Sequence, residues 1–412
     1  MSERTLEDVW RHEAPHVLGA LLRKFGDFDG CEDACQEAVA VAAKEWPLDG
    51  QPRNPRAWLI RVASRRLIDS WRSDTSRAER ERLVGIRNPA DVLTTPGPDA
   101  PSAGTTDDTL QLLMLCCHPV LTKTSQVALT LRAVGGLSTD QVASALLVPT
   151  ATMAQRISRA KATLREAGAR FDDTSADERR VSAVLHVLYL IFNEGYATSG
   201  GDHLVDVSLT REAIRLTRLL RSRIPADSET GGLLALMLLT DARSYARTDD
   251  NGDLIPLSEQ DRVRWDQRAI REGVALLEQV LPGGGAGPFQ LQAAIAAVHA
   301  EAPTWEDTDW RQIVVLYRML DRVAPSPTVM LNLGVAVGMV DGPEAGLEVV
   351  AATGEEPSMR RNHRLHAVRG HLLELAGRVD EAVESFGTAA RLTSSVPEQR
   401  YLNRQVARLT GE

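Results

Sequence analysis

The sequence predicts an all-α chain, and three observations carry that prediction. Aromatic residues are only 4% of the chain while Ala, Leu, Val and Arg are frequent, which favours packed amphipathic helices over a sandwich or barrel. Apolar residues recur at helical spacing in long runs such as 181–192, 313–320 and 365–375. Those runs are separated by Gly/Pro turns. With 412 residues, 43% hydrophobic and 25% charged, the length suggests two or three domains at roughly 150 residues each. Collagen-like, fully disordered and disulfide-framework classes are excluded by ordinary Gly, Pro and charge content and by only four cysteines.

No stretch approaches the roughly 20 apolar residues of a membrane span. The first residues carry Glu3, Arg4, Glu7, Asp8, Arg11 and Glu13 instead of a signal-peptide core, so a cytoplasmic protein with no membrane partner is expected. Cys31 and Cys35 lie one helical turn apart and Cys116 and Cys117 are adjacent. Neither spacing makes a disulfide framework or a pair of zinc clips, and small buried thiols in a reducing compartment are expected.

Taken in order, residues 4–76 read as helices punctuated by Gly26, Gly30, Pro47, Gly50, Pro52 and Pro55. Pro55 is suited to a helix start, and the run from Arg56 to about Arg72 has no internal Gly or Pro. On that helix Leu59, Ile60, Ala63, Leu67 and Trp71 share one side, and Arg61, Arg65, Asp69 and Arg72 the other. Trp58 lies beside the basic face, where an indole suits stacking on an unpaired base; packing at the helix start is the competing reading. Residues 88–107 are turn-rich and apolar-poor, which is linker composition. Periodicity resumes at Leu110 and breaks after Arg170.

Charge divides the chain more sharply than its total of −9 suggests. Residues 52–72 hold six arginines against Asp69 alone, and 121–171 hold seven basic residues against Asp140 and Glu166. Residues 172–412 carry 25 basic against 35 acidic residues, so phosphate contacts are expected only in the N-terminal part. Within the second basic island, Gly136 to Leu146 reads as a short helix capped by Ser138, with a turn through Leu147 to Thr150. A second helix follows from about Ala151, with Met153, Ile157, Ala160 and Leu164 on one stripe. Gln155, Ser158, Arg159, Lys161 and Arg165 fall opposite, where they could reach base edges and phosphates, an arrangement of the helix-turn-helix kind.

Three motifs then stand in order: Asp29-Gly30-Cys31-Glu32-Asp33-Ala34-Cys35-Gln36-Glu37, Pro55-Arg56-Ala57-Trp58-Leu59 with Ala63 to Arg72, and Gly136-Leu137-Ser138 through Val142-Ala143 to Arg159-Ala160. Together, over about residues 5–170, they resemble the extracytoplasmic-function sigma factors of bacterial RNA polymerase. The resemblance implies that Asp33, Gln36 and Glu37 dock on core RNA polymerase. It implies that Trp58, Arg61, Arg65, Arg66 and Arg72 open and read the minus-ten element of promoter DNA, with Asp69 orienting neighbouring arginines. It further implies that Thr152, Gln155, Arg156, Ser158, Arg159 and Lys161 read the minus-thirty-five element in the major groove. Leu147 departs from the glycine that relatives commonly carry in the turn.

About 240 residues follow. Tyr189 to Tyr196, Leu233 to Leu239, Gln260-Asp261-Arg262 with Trp265, Gln292 to Ala300, Leu331-Asn332 and Gly342-Pro343 resemble the subgroup with a C-terminal tetratricopeptide-like extension. Leu365 to Leu392 reads as a helix, a Gly turn and a second helix, with Leu331 to Val350 a degenerate copy upstream. The resemblance implies regulation through this part, with a small protein carrying a D-G-P-F motif as partner.

The organisation expected is therefore sigma region 2 in 1–76, a flexible linker in 77–107, sigma region 4 in 108–172 and a regulatory helical array in 173–412. Asn193-Glu194 reads as a polar network between helices, His299 and Glu301 imitate half of a deaminase signature with no PCxxC, and Asp249 to Asp253 reads as a turn. No nucleophile, base or metal cluster converges, so neither an enzyme nor a cofactor is expected. A helix-turn-helix regulator with an interaction tail is the alternative to a sigma factor.

Overall fold

The computed structural model describes residues 6–78, 108–146, 148–169, 171, 178–196, 207–249, 252–281, 285–354 and 359–411. The chain is all-α. Among the described residues there is no β-sheet, only a single bridge between Thr248 and Leu254. No helix is long and apolar enough to cross a membrane.

Helices α1 (Leu6–Phe25), α2 (Phe28–Asp49) and α3 (Pro55–Ala78) pack on one another; α4 (Asp108–Cys116) packs on α5 (Lys123–Ala133) and α5 on α7 (Thr150–Glu166), with α6 (Thr139–Ala145) between them in sequence. Local chemistry sets the ends. Asn54 Oδ1 accepts the Ala57 amide at 3.1 Å, placing Pro55 at the first helical position of α3. Ser138 and Gln141 cap α6 reciprocally: Ser138 Oγ accepts the Gln141 amide at 3.1 Å while Gln141 Oε1 accepts the Ser138 amide at 2.8 Å.

Two expected breaks are absent. Gly30 lies inside α2 because the true start is Asp27, whose Oδ2 accepts the Gly30 amide at 3.2 Å. A Cβ on Gly30 would stand 2.5 Å from Asp27 Oδ2 and 3.0 Å from Leu67, so this glycine permits close packing of α2 on α3. Pro47 sits in the last turn of α2, which ends at Gly50 with φ +82°. The linker stretch 88–107 and Leu147 lie outside the described residues.

The two helix groups, although separated by the linker in sequence, form one compact unit. Arg23 pairs with Asp108 at 3.1 Å, His16 Nδ1 lies 3.3 Å from Thr109 Oγ1, and Gly19 admits Asp108 so closely that a Cβ would stand 2.7 Å from Asp108 Cβ. α1 is thus seated on the start of α4.

After α8 (Glu178–Tyr196), a second unit runs through α9 (Val207–Arg223), α10 (Ser228–Asp241), α11 (Gln267–Val280), α12 (Pro288–Glu301), α13 (Trp310–Val323), α14 (Pro327–Asp341), α15 (Pro343–Gly354), α16 (His363–Leu375), α17 (Val379–Leu392) and α18 (Val396–Thr410). Helix α10 is apolar all round and buried from Thr230 to Leu239, packed by α9, α11 and α12. Glu229 accepts the amides of Phe289 and Gln290, each at 3.0 Å, and so caps α12 from α10. The described residues of 249–253 form the expected turn, with Gly252 at φ +77° and the Asp253 amide on Asp249 Oδ1 at 2.9 Å.

Consecutive helices pair as hairpins, α14 with α15 across Gly342 (φ +99°) and α16 with α17 across Gly377 (φ +74°). The first is unusually close. A Cβ on Gly346 would lie 2.6 Å from the Gly334 carbonyl oxygen and 3.0 Å from Gly338 Cα. Gly346→Val is expected to lower unfolding stability by about 2 kcal/mol or more, because backbone cannot yield as a side chain can; thermal and urea unfolding of the full chain measure it.

Candidate nucleic-acid interface

Helix α3 divides by burial as its periodicity predicts. Leu59, Ala63 and Leu67 are buried, and Arg61, Arg65 and Arg66 are exposed. Trp58 is half-buried, its ring in a T-shaped contact with Trp46 of α2 with centroids 5.4 Å apart, so the indole packs at the helix start. Arg66 lies 3.6 Å from Glu37, and both side chains are more than half exposed, a pairing worth little in water. Asp69 is exposed on the same helix. The side chain of Arg72 lies outside the described residues. Arg56 is drawn away from the basic face by Glu13 of α1, 2.5 Å from its Nε.

On α7, Met153, Ile157, Ala160 and Leu164 are buried as one stripe. Thr152, Gln155, Ser158 and Arg159 are exposed and Arg156 is half-exposed, giving a short polar row with two guanidinium groups, the chemistry that reads base edges and phosphates. Lys161 differs. Its side chain is 11% exposed, and its ammonium is paired with Glu32 Oε2 and lies 3.4 Å from Asp29 Oδ1. Arg165 pairs with the other oxygen of Asp29.

Glu32 therefore joins three helices. Its carboxylate, 7% exposed, takes Lys161 from α7 on one oxygen and Arg132 Nε from α5 at 2.7 Å on the other. Arg132 also donates from Nη1 to the Leu137 carbonyl oxygen at 2.8 Å, fixing the approach to α6. Asp33 and Glu37 point the other way on α2 and are exposed, with Gln36 half-buried. One helix thus offers an outward acidic edge and an inward acidic clamp. Beside the clamp is a cleft of about 450 Å³ lined by Leu22, Phe25 and Phe28 on one side and Leu164, Arg165 and Phe171 on the other. Sequence reasoning did not single out Glu32, Asp29 or Arg132 as partners, since no periodic signal marks an ion pair between segments a hundred residues apart.

The four cysteines are free and buried. Burial pushes Cys31 and Cys117 up to about 12, and Cys35 and Cys116 well above the ordinary thiol range. They are protonated at neutral pH and poor nucleophiles.

Two outcomes follow from this packing. Glu32→Gln leaves Lys161 and Arg132 buried without a full counter-charge and is expected to destabilise the N-terminal unit by about 3 kcal/mol or more, read by urea unfolding. Iodoacetamide at pH 8 should leave all four thiols unmodified in the folded chain and alkylate them in denaturant; rapid labelling of native Cys31 would contradict its burial.

Comparison with known proteins accords with this geometry. Residues 9–77 match Sigma-70 region 2, residues 111–164 match Sigma-70 region 4, and residues 180–281 match DUF6596, a family of unknown function. An uncharacterised protein of Rhizobium meliloti (strain 1021) is 43% identical over 403 residues, 97% of this chain and 94% of its own length. The probable ECF RNA polymerase sigma factor SigI of Mycobacterium tuberculosis is 27% identical over 158 residues, 38% of this chain and 53% of that relative. The ECF RNA polymerase sigma factor SigK of Mycobacterium ulcerans (strain Agy99) is 28% identical over 155 residues, 37% of this chain and 80% of that relative. With Sigma-70 regions 2 and 4 both matched, the chain is an ECF-like sigma factor, a non-enzymatic transcription initiation factor, that continues into a long helical part.

Proposed function

We propose that this sigma factor docks on core RNA polymerase through Asp33, Gln36 and Glu37. It holds the minus-ten element with Trp58, Arg61, Arg65, Arg66 and Arg72 and reads the minus-thirty-five element with Thr152, Gln155, Arg156, Ser158, Arg159 and Lys161. The observation that carries this reading is the outward polar row on α7, set on a capped helix-turn-helix beside the separately exposed arginines of α3. In the packed unit Asp33 and Glu37 are exposed on α2, with Glu37 only loosely paired to Arg66, whereas Lys161 is engaged by Glu32 and Asp29. Docking then precedes release of Lys161 to DNA phosphate, with the sequence between the two regions acting as the linker.

The helical part from about residue 173 regulates this activity in the cytoplasm as a tetratricopeptide-like array, with a small D-G-P-F-type protein as its partner. One tetratricopeptide period of about 34 residues carries buried Leu331 onto buried Leu365, in the first helix of each hairpin, which supports the repeat reading. Stacked hairpins suit the recognition of a peptide or a protein.

Run-off transcription with purified core polymerase, on a promoter upstream of the protein's own gene cluster, tests the reading. The full chain should direct a defined start, and residues 1–174 should change its yield; identical yields would remove the regulatory role of the remainder. Asp33→Ala with Glu37→Ala should abolish core binding while leaving duplex binding intact. Arg159→Ala should weaken promoter binding by about tenfold, the loss of one good base or phosphate contact. Duplex binding without any core binding by the unaltered chain would favour a plain regulator.

A further inference from the structure

The acidic C-terminal unit contains a cationic pocket with no acid in it. Arg243, just beyond α10, Trp265 and His299 of α12 line a cleft of about 30 Å³, closed by Leu239, Ala296 and Ala300. Arg243 has no carboxylate partner among the described residues; its guanidinium is 5.8 Å from the Tyr196 ring. Trp265 is 4% exposed, and its Nε1–H is buried without an acceptor. Arg262 stacks over Trp265 at 4.7 Å and spends Nη1 on the carbonyl oxygens of His299 and Ala302, at 2.5 and 2.6 Å, yet its Nη2 is buried and unpartnered. His299 Nδ1 is likewise buried and unpartnered. Burial, with Arg243 and Arg262 nearby, lowers His299 to about 4, so at neutral pH the imidazole is neutral and the charge among the lining residues is Arg243.

Buried donors without acceptors are costly, and so is the Arg243 guanidinium without a carboxylate partner; Glu306 and Asp307 act on Arg262 but leave its Nη2 unpartnered. We propose that this pocket binds the carboxylate of a ligand, held by the Arg243 fork and the Trp265 indole N–H. A planar carboxylate matches that donor set, and the cleft admits a head group of about two water volumes, too little for a nucleotide. The rest of the ligand is apolar. Half-buried Trp305 and Trp310 flank His299, with ring centroids 6.3 and 5.2 Å away, and give a hydrophobic tail a surface. A small aromatic acid and the free C-terminus of a peptide share this chemistry. The site is independent of promoter recognition, so its test does not depend on the sigma reading.

Full-length protein is titrated with phenylacetate, with neutral phenylacetamide, and with N-acetyl-Ala-Ala-Phe as free acid and as amide, following tryptophan emission and the His299 ring proton resonance. An acid should bind saturably and its amide at least about tenfold more weakly, and a bound carboxylate should raise His299 from about 4 toward its ordinary value. Saturation by phenylacetate assigns a small acid; saturation by the peptide acid alone assigns a chain terminus. Arg243→Met should lose binding by about tenfold or more, and Arg243→Lys, which keeps charge but not the fork, should fall between. Acid and amide binding equally, no saturation by either acid below about 10 mM, or an unmoved His299 in the unaltered protein would overturn the proposal.

Discussion

The N-terminal unit depends on one carboxylate. Glu32 stands where α2, α5 and α7 meet, and its two oxygens are divided between Arg132 and Lys161. A buried ion of this kind costs several kcal/mol to desolvate and repays it only when every partner is in place, so it specifies an arrangement more than it stabilises one. Remove any of the three and a charge is stranded. The pairing explains why two helix groups far apart in the sequence are held in a defined register, where apolar contact alone would permit sliding.

The same clamp divides α7 into an outward part and an engaged part. Thr152, Gln155, Ser158 and Arg159 face outward early in α7, while Lys161 and Arg165, one to two turns later, are tied to Glu32 and Asp29. A basic helix held by carboxylates is held by the same kind of charge that DNA offers. The anions that Lys161 holds in the packed unit are carboxylates of the chain itself, so its ammonium is already matched there. Salt weakens both pairings, but the buried one less, because solvent ions screen it poorly.

How much of this was legible follows from where the information lies. The helices of α3, α7, α8, α13 and α16 are written in a period of 3.6 residues, and their buried stripes fall where that period puts them. The Ser138 cap is a four-residue signal and was equally readable. Gly30 and Pro47 read as breaks because punctuation is judged locally, whereas Gly30 is there for Asp27 and Leu67, the latter on a different helix. Trp58 was undecidable for the same reason, since Trp46 is twelve residues away and on another element. Glu32 and Arg132 leave no local trace at all. Lys161 looked like one more base-facing residue because the helical wheel places it near Arg165 and Ser158, and only the neighbouring carboxylates turn it inward.

The C-terminal unit obeys the opposite economy. Its surplus of acid lies outside, while Arg243 and Arg262 converge beside His299 with unpartnered donors around them. In the N-terminal unit Arg132 and Lys161 have found their carboxylate within the chain; here Arg243 has none among the described residues, and Arg262 keeps a buried unpartnered nitrogen although Glu306 and Asp307 act on it. A chain that satisfies Arg132 and Lys161 so fully in one place, while leaving buried guanidinium and indole donors open in another, separates a charge pairing that specifies its own packing from one that awaits an anion supplied from elsewhere.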